Sequence, residues 1–99
     1  MYHLVHKDNL LKTLKRTKLF VKDIRKVQFS DKHYTKFILF IGKLIEGKEL
    51  PSEALDHALQ GEWLHFREFH ISGDLLVIYK IDEANVWLAR IGSHSQLFK

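Results

Sequence analysis

Three apolar runs separated by very short gaps restrict the fold of this chain more than any other feature of its sequence. The runs are HFREFHI (65–71), DLLVIYK (74–80) and NVWLARI (85–91). Ser72-Gly73 separates the first two runs, and IDEA (81–84) separates the last two. Short gaps with Gly and Asp between β-branched and aromatic runs indicate an antiparallel meander. The middle run is almost wholly apolar, which predicts a central strand buried on both faces.

Between Asp8 and Val27 the sequence has the period of an amphipathic helix. Its apolar residues recur at spacings near three, four and seven: Leu10, Leu11, Leu14, Val21, Ile24 and Val27. Lysines and arginines fill other positions, so we predict a helix with a basic outer face, interrupted near TKLF (17–20). Upstream, the weak alternation of YHLVH (2–6) predicts a short strand.

A second amphipathic helix is predicted after Ser30 or Asp31, either of which can cap it. Its apolar stripe consists of Tyr34, Phe37, Ile38, Ile41, Leu44 and Ile45. Gly47 is suited to end this helix, and the short connection to the first helix favours an antiparallel pair. Pro51 opens a connecting segment. The predicted order is β-α-α-β-β-β: one α+β domain over residues 1–99, with two N-terminal helices packed on a small antiparallel sheet.

The composition excludes several classes of protein. There is no cysteine, which rules out a disulfide framework and a thiolate zinc site. The longest apolar runs have five residues, whereas about 20 are needed to span a bilayer. The N-terminal residues lack the long apolar core of a signal peptide. We therefore expect a cytoplasmic protein that does not enter a membrane.

Charge is divided unevenly along the chain. Residues 1–50 carry twelve Lys/Arg against five Asp/Glu, and residues 51–99 carry four against seven. A basic first half suggests a polyanionic partner, such as a nucleic acid or an acidic protein. A solvated helix surface has the same composition, so charge alone does not decide between these interpretations.

The predicted meander brings four polar residues to one edge of the sheet. The end of each antiparallel strand lies beside the start of the next, so His70 is expected near Asp74, and Arg90 returns to the same edge. His94 follows Arg90 by one short turn. Imidazoles exchange protons near neutral pH, a carboxylate orients them, and a guanidinium binds phosphate. Such a set can cleave RNA without a metal ion, by acid-base catalysis of 2′-OH attack on the adjacent phosphorus.

Each of these residues also has an ordinary structural interpretation. A histidine at a strand end is often a surface residue, an aspartate after glycine is a common turn residue, and Arg90 could pair with Glu68. Leu97 and Phe98 are expected to pack down and hold His94 in place. The seven histidines form no HExxH motif, so we expect neither a metal ion nor another cofactor.

The stretches DHALQGEWLHFREFHISGDLLVIYKI and LARIGSHSQLF contain many motif residues in a fixed order. They are Asp56, His57, Leu59, Gly61, Trp63, Arg67, Glu68, His70, Asp74, Tyr79, Arg90, Gly92, Ser93, His94, Leu97 and Phe98. This pattern resembles the YafQ branch of the RelE/ParE toxin superfamily. The two predicted helices fit the fold of that family in length and order.

The resemblance implies the toxin of a type II toxin–antitoxin pair, a ribosome-dependent endoribonuclease that cuts mRNA in the A site. It implies catalytic roles for His57, His70, Asp74 and His94, phosphate binding by Arg90 and RNA positioning by Phe98. His94 is the leading acid-base candidate. His57 lies in the connecting segment, so its place in the site depends on the resemblance alone.

The resemblance also implies the partners of the protein. They are a cognate, DinJ-like antitoxin, the ribosome and mRNA. Lys12, Lys15 and Arg16 would face ribosomal RNA, where neutralised phosphates supply affinity. Relatives often carry Trp just after the catalytic aspartate, whereas this chain has Leu75; if that Trp stacks on bases, codon preference or efficiency differs here.

Two other functions remain open at this point. One is a toxin of the same fold that inhibits gyrase without nuclease chemistry. The set of His57, His70 and His94 argues against this function, because inhibition of a protein needs no acid-base groups. The other is a basic module that binds nucleic acid or a partner protein, in which the histidines have no catalytic role.

Overall fold

The computed structural model describes residues 11–98, which form one strand, two helices, four further strands and a last short helix, in that order. The elements are β1 (Thr13–Arg16), α1 (Lys18–Ile24), α2 (Asp31–Ile45), β2 (His57–Ala58), β3 (Arg67–Ser72), β4 (Leu75–Ile81), β5 (Asn85–Gly92) and α3 (His94–Leu97). Single 3₁₀ turns occur at Ser52–Ala54 and Gly61–Trp63. The α+β class is therefore confirmed, while the strand predicted at residues 2–6 lies outside the described part.

The strands form one mixed sheet in the order β1-β5-β4-β3-β2. β3, β4 and β5 are the predicted antiparallel meander, and β2 adds two antiparallel residues at the edge of β3. β1 differs from the prediction because it pairs with β5 in parallel. Two parallel strands need a long connection, and here residues 17–84, which include helices α1 and α2 and strands β2 to β4, connect β1 to β5.

β1 corrects the prediction of a helix from Asp8 to Val27. Residues 13–16 are a strand, so Lys15 and Arg16 lie on a sheet edge and not on a helix. Thr17 separates the two elements: its hydroxyl donates to the Ala89 carbonyl at 2.7 Å and accepts from the N–H of Phe20 at 3.0 Å. Apolar spacing alone cannot reveal such pairing, because the partner strand lies some 70 residues away.

α2 has the limits that its sequence predicts. The Ser30 hydroxyl accepts a hydrogen bond from the N–H of His33 at 3.1 Å, and Gly47, with a φ of 74°, follows the last turn. α1 packs on β5, while α2 packs on β3 and β5, so the sheet is the main partner of each helix, and the antiparallel pairing of the two helices stays a prediction. With only seven residues, α1 buries Phe20 against the sheet. No helix among residues 11–98 is long and apolar enough to cross a membrane.

Both faces of the sheet are covered by apolar side chains, as predicted for the central strand. The helix face carries the larger cluster, which includes Phe20, Phe37, Phe40, Phe69, Val77, Tyr79, Leu88 and Ile91. The opposite side, here termed the loop face, carries Leu76, Ile78, Ala89 and Leu97, with Leu59, Trp63, Phe66 and Phe98 packed against them. β4 contributes to both clusters because its side chains alternate between the faces.

A bulge in β5 sets the direction of Arg90. Ile78 pairs with Arg90 and Tyr79 pairs with Leu88, so Ala89 is an extra residue in the ladder. Bulges of this kind redirect side chains next to functional sites. Arg90 consequently shares a cross-strand row with Ile78 and Glu68.

Candidate active site

Glu68 joins two of the predicted catalytic histidines. It lies on β3, is only 3% exposed, and pairs with His57 of β2 in the sheet register. Its Oε2 accepts a hydrogen bond from Nε2 of His70 at 2.7 Å and lies 3.6 Å from Nε2 of His57. The two imidazole ring centres are 6.3 Å apart. His57 therefore stands beside His70, although sequence alone placed it outside the sheet edge.

The local backbone determines which nitrogen of His57 carries the proton. Nδ1 lies 2.7 Å from the carbonyl oxygen of Leu55, which can only accept, so Nδ1 bears the hydrogen. Leu55 directs its carbonyl there from a left-handed backbone conformation, with φ 50° and ψ 37°. The 3.6 Å between Nε2 and Glu68 exceeds a direct hydrogen bond. A neutral His57 thus offers an electron pair on Nε2 that can accept a proton.

Arg90 is held by a carboxylate on α1. Its Nε and Nη2 donate to the two oxygens of Asp23 at 2.7 and 3.0 Å, and the N–H of Ile91 donates to the same carboxylate at 3.2 Å. β1 pairs with β5 only as far as Leu88, so Asp23 completes an edge that β1 leaves unpaired. The hydrogen bond with Asp23 raises the pKa of Arg90 despite the opposing effect of burial. The alternative pairing of Arg90 with Glu68 is wrong.

A cleft of about 520 Å³ opens beside Arg90 and Asp74. The cleft is also lined by Lys26, which follows the end of α1, by His33 at the start of α2 and by Leu75 on β4. Leu75 packs against the helix-face cluster as well, so it occupies the cleft wall rather than projecting freely. The side chains of His70 and His94 lie outside this lining.

His94 begins α3 and stands next to Asp74. Its backbone N–H lies 3.5 Å from Oδ1 of Asp74, at the outer limit of a hydrogen bond. Its imidazole is exposed, with the ring centre 4.7 Å from that of Phe98. Leu97 is buried in the loop-face cluster and Phe98 packs against it, which confirms that this pair holds the segment down. Ser93 fixes the start of α3 through a capping box with Gln96.

The four residues predicted to converge form two neighbouring groups. Asp74, Arg90 and the backbone of His94 meet at the cleft, whereas His70 joins His57 and Glu68. Glu68 and Arg90 lie two strands apart in one row, which places their backbones about 10 Å apart at a strand spacing of about 4.8 Å. A site of this width suits several groups along an extended ligand better than one small anion.

The three basic residues predicted to bind RNA lie at the opposite edge strand, β1. The Lys12 ammonium donates to the carbonyls of Asp82 and Glu83 at 2.9 Å each. The Lys15 ammonium lies 5.3 Å from the ring centre of Trp87, close enough for a cation–π contact. Arg16 is exposed. Lys12 therefore has a structural role in the β4–β5 turn, while Lys15 and Arg16 present their charges outward.

Comparison with known proteins identifies the family. The protein-family model described as the bacterial toxin of a type II toxin–antitoxin system, YafQ, matches residues 12–99. The mRNA interferase toxin YafQ of Escherichia coli K12 is 32% identical over 80 residues, which cover 80% of this chain and 87% of that protein. The crystal structure of YafQ from E. coli BL21(DE3) matches with a TM-score of 0.79 at 28% identity and covers 89% of this chain and 99% of that one.

A second solved structure gives the same result. The E. coli DinJ–YafQ toxin–antitoxin complex contains a chain that matches with a TM-score of 0.78 at 29% identity, covering 90% of this chain and 99% of that one. Since the family model spans nearly the whole described chain, this protein belongs to the YafQ family of bacterial type II toxins.

Proposed function

We propose that this protein is a ribosome-dependent endoribonuclease that cleaves mRNA and is inhibited by a cognate antitoxin. The observation that carries the proposal is the pair of imidazoles on the buried Glu68, in the same cross-strand row as Arg90. Acid-base groups beside a guanidinium are the set that RNA cleavage needs. The substrate and partner follow from the relatives, one named an mRNA interferase toxin and another solved with the antitoxin DinJ.

RNA carries its own nucleophile, so the protein needs to move only protons and to stabilise charge. A base removes the proton of the 2′-OH, and this oxygen attacks the adjacent phosphorus. The bond from phosphorus to the 5′-oxygen breaks, and an acid gives that oxygen a proton. The products are a cyclic 2′,3′-phosphate and a free 5′-OH.

The side chains divide this work by position. His57 and His70 flank Glu68 on one side of the site, while His94 and Asp74 stand on the other. We assign the acid-base steps to these groups, with His94 as the leading candidate because its imidazole is exposed beside the cleft.

Arg90 stabilises the charge that develops on the phosphate. Two of its five N–H groups bind Asp23, and the remaining three stay available for phosphate oxygens. Phe98, partly exposed beside His94, offers a ring on which a base can stack. Lys15 and Arg16 on the exposed β1 strand would contact ribosomal RNA through its phosphates.

The substitution His94→Ala tests the proposal. We expect the variant to fold, to permit growth and to leave mRNA intact, whereas induced wild-type protein arrests growth and produces new 5′ ends in cellular transcripts. His65→Asn serves as the matched control, because His65 is exposed and its φ of 77° suits asparagine.

The other possible functions give different results. Growth arrest by both the wild type and His94→Ala, without any RNA cleavage, would support a gyrase inhibitor. If the folded wild-type protein, free of antitoxin, caused no growth arrest and cleaved no RNA, that result would support a binding module and contradict the nuclease.

A further inference from the structure

Asp56, the residue before His57, is bound to two residues of the sheet. Its Oδ1 accepts hydrogen bonds from the Tyr79 hydroxyl at 2.6 Å and from Nε of Arg67 at 3.1 Å. Arg67 and Tyr79 face each other on β3 and β4. The three side chains therefore form one network, here termed the Asp56 clamp. All three belong to the motif pattern of the sequence, yet none has a role in the proposed chemistry.

Tyr79 gives the clamp a rigid base. It lies on the central strand, is only 1% exposed, and packs its ring 5.6 Å from that of Phe69. Burial, together with the hydrogen bond and charge of Asp56, raises the pKa of Tyr79 well above its ordinary value. The hydroxyl consequently keeps its proton and remains a donor to Asp56.

His57 needs such an anchor because its own strand is minimal. β2 has two residues and lies at the edge of the sheet, and so short a ladder does not fix a side chain. The preceding Leu55 has the left-handed conformation that orients its carbonyl toward Nδ1 of His57. This conformation is unfavourable for a residue other than glycine, so neighbouring contacts have to maintain it.

We propose that Asp56, Arg67 and Tyr79 are positioning residues that orient His57 for RNA cleavage, a role that rests on the proposed function. Arg67 and Tyr79 share a row on the helix face, whereas His57 and Glu68 share the next row, on the loop face. The clamp thus fixes the 55–57 turn from the helix face of the sheet, while the imidazole of His57 acts on the loop face. In this orientation Nδ1 stays on the Leu55 carbonyl and Nε2 stays free toward the substrate.

A double-mutant cycle tests whether the clamp acts through His57. Tyr79→Phe removes only the hydroxyl, and Asp56→Ala removes the shared acceptor. Each is measured alone and combined with His57→Ala in single-turnover cleavage of ribosome-bound mRNA. We expect each substitution to slow cleavage about tenfold when His57 is present and less than about twofold when it is absent. Equal losses in both backgrounds would overturn the proposal, and Tyr34→Phe controls for loss of an exposed hydroxyl on α2.

Nuclear magnetic resonance of the imidazole nitrogens provides a readout that does not require RNA. With His57 neutral, the wild type should carry its proton on Nδ1, whereas both clamp variants should shift toward a mixture of the two tautomers. Unchanged nitrogen shifts in folded Tyr79→Phe would contradict the clamp even if cleavage fell. If the wild type failed to cleave mRNA while the variants still changed the tautomer, the proposed function would fail and the clamp would stand as a structural device.

Discussion

Arg90 and Asp23 form a bidentate ion pair that ties the end of β5 to α1. Their side chains are 21% and 13% exposed, so the pair is largely shielded from water. The guanidinium is therefore oriented by the fold itself, which is the condition for electrostatic stabilisation of a transition state without reorganisation. Under the proposed function, an RNA phosphate would meet the donors that Asp23 leaves free.

Removal of Asp23 should destabilise the protein. Asp23→Ala leaves both Arg90 and the N–H of Ile91 without an acceptor, so we expect a loss of about 1–3 kcal/mol in the free energy of unfolding. Asp23→Asn retains one oxygen and should lose less. Denaturant unfolding followed by tryptophan fluorescence measures both values. A change below about 0.5 kcal/mol in each variant, typical of an ordinary surface site, would mean that the pair does not hold Arg90.

Glu68 should matter for activity through its charge. Glu68→Gln keeps the shape of the side chain, but its amide cannot replace a carboxylate that faces the Nε2 atoms of both His57 and His70. We expect single-turnover cleavage to fall about a hundredfold, the low end of what general acid-base catalysis contributes. Glu62→Gln, an exposed substitution on the nearby 3₁₀ turn, is the control. Cleavage by Glu68→Gln at the wild-type rate would remove Glu68 from the mechanism.

The parts of the fold that sequence predicted are those whose signals are local. Alternation of apolar and polar residues and the short gaps identified the β3–β5 meander. The cap at Ser30, the apolar stripe and Gly47 identified α2. β1 was missed because its four side chains are all exposed and its partner, β5, lies far along the chain. The family, indicated by the C-terminal motifs, is confirmed by the match over residues 12–99.

The same distinction applies to the site. Asp23 gives no signal in its helix, since only the folded chain brings it to Arg90. Glu68 did leave a signal: it stands two residues before His70 in an alternating run, so the two side chains had to share a face. Placing His57 required the register of a two-residue strand, which no periodicity defines.

Tyr79 should give the protein a distinct response to alkali. Its pKa in the folded protein is raised above the ordinary value of 10.0 by burial and by Asp56. The stabilisation from neutral Tyr79 is fully present below that value and is lost as pH rises toward the folded-state pKa, because the unfolded chain ionises first. Urea unfolding above pH 10 should therefore show a steeper loss of stability for wild type than for Tyr79→Phe. Identical slopes would contradict burial of a neutral hydroxyl.

Lys15 and Arg16 provide the last test, of the proposed contact with ribosomal RNA. Both residues are exposed on β1, with the Lys15 ammonium over the ring of Trp87, whereas the Lys12 ammonium is bound to carbonyls. The double substitution to glutamine therefore removes two exposed charges and leaves the Lys12 contacts with the turn intact. If each contacts one phosphate, the slope of log affinity for the ribosome against log salt should become less steep by about 1–2.

Lys32→Gln with Lys36→Gln is the charge-matched control. Both residues lie roughly 14–20 Å along α2 from its end at Ile45, where the N–H of Lys12 donates to the Ile45 carbonyl. Equal salt slopes for the β1 variant and the wild type would show that β1 does not face RNA. If the β1 variant and the α2 control variant reduced the salt slope equally, net charge, and not this edge of the sheet, would govern ribosome binding.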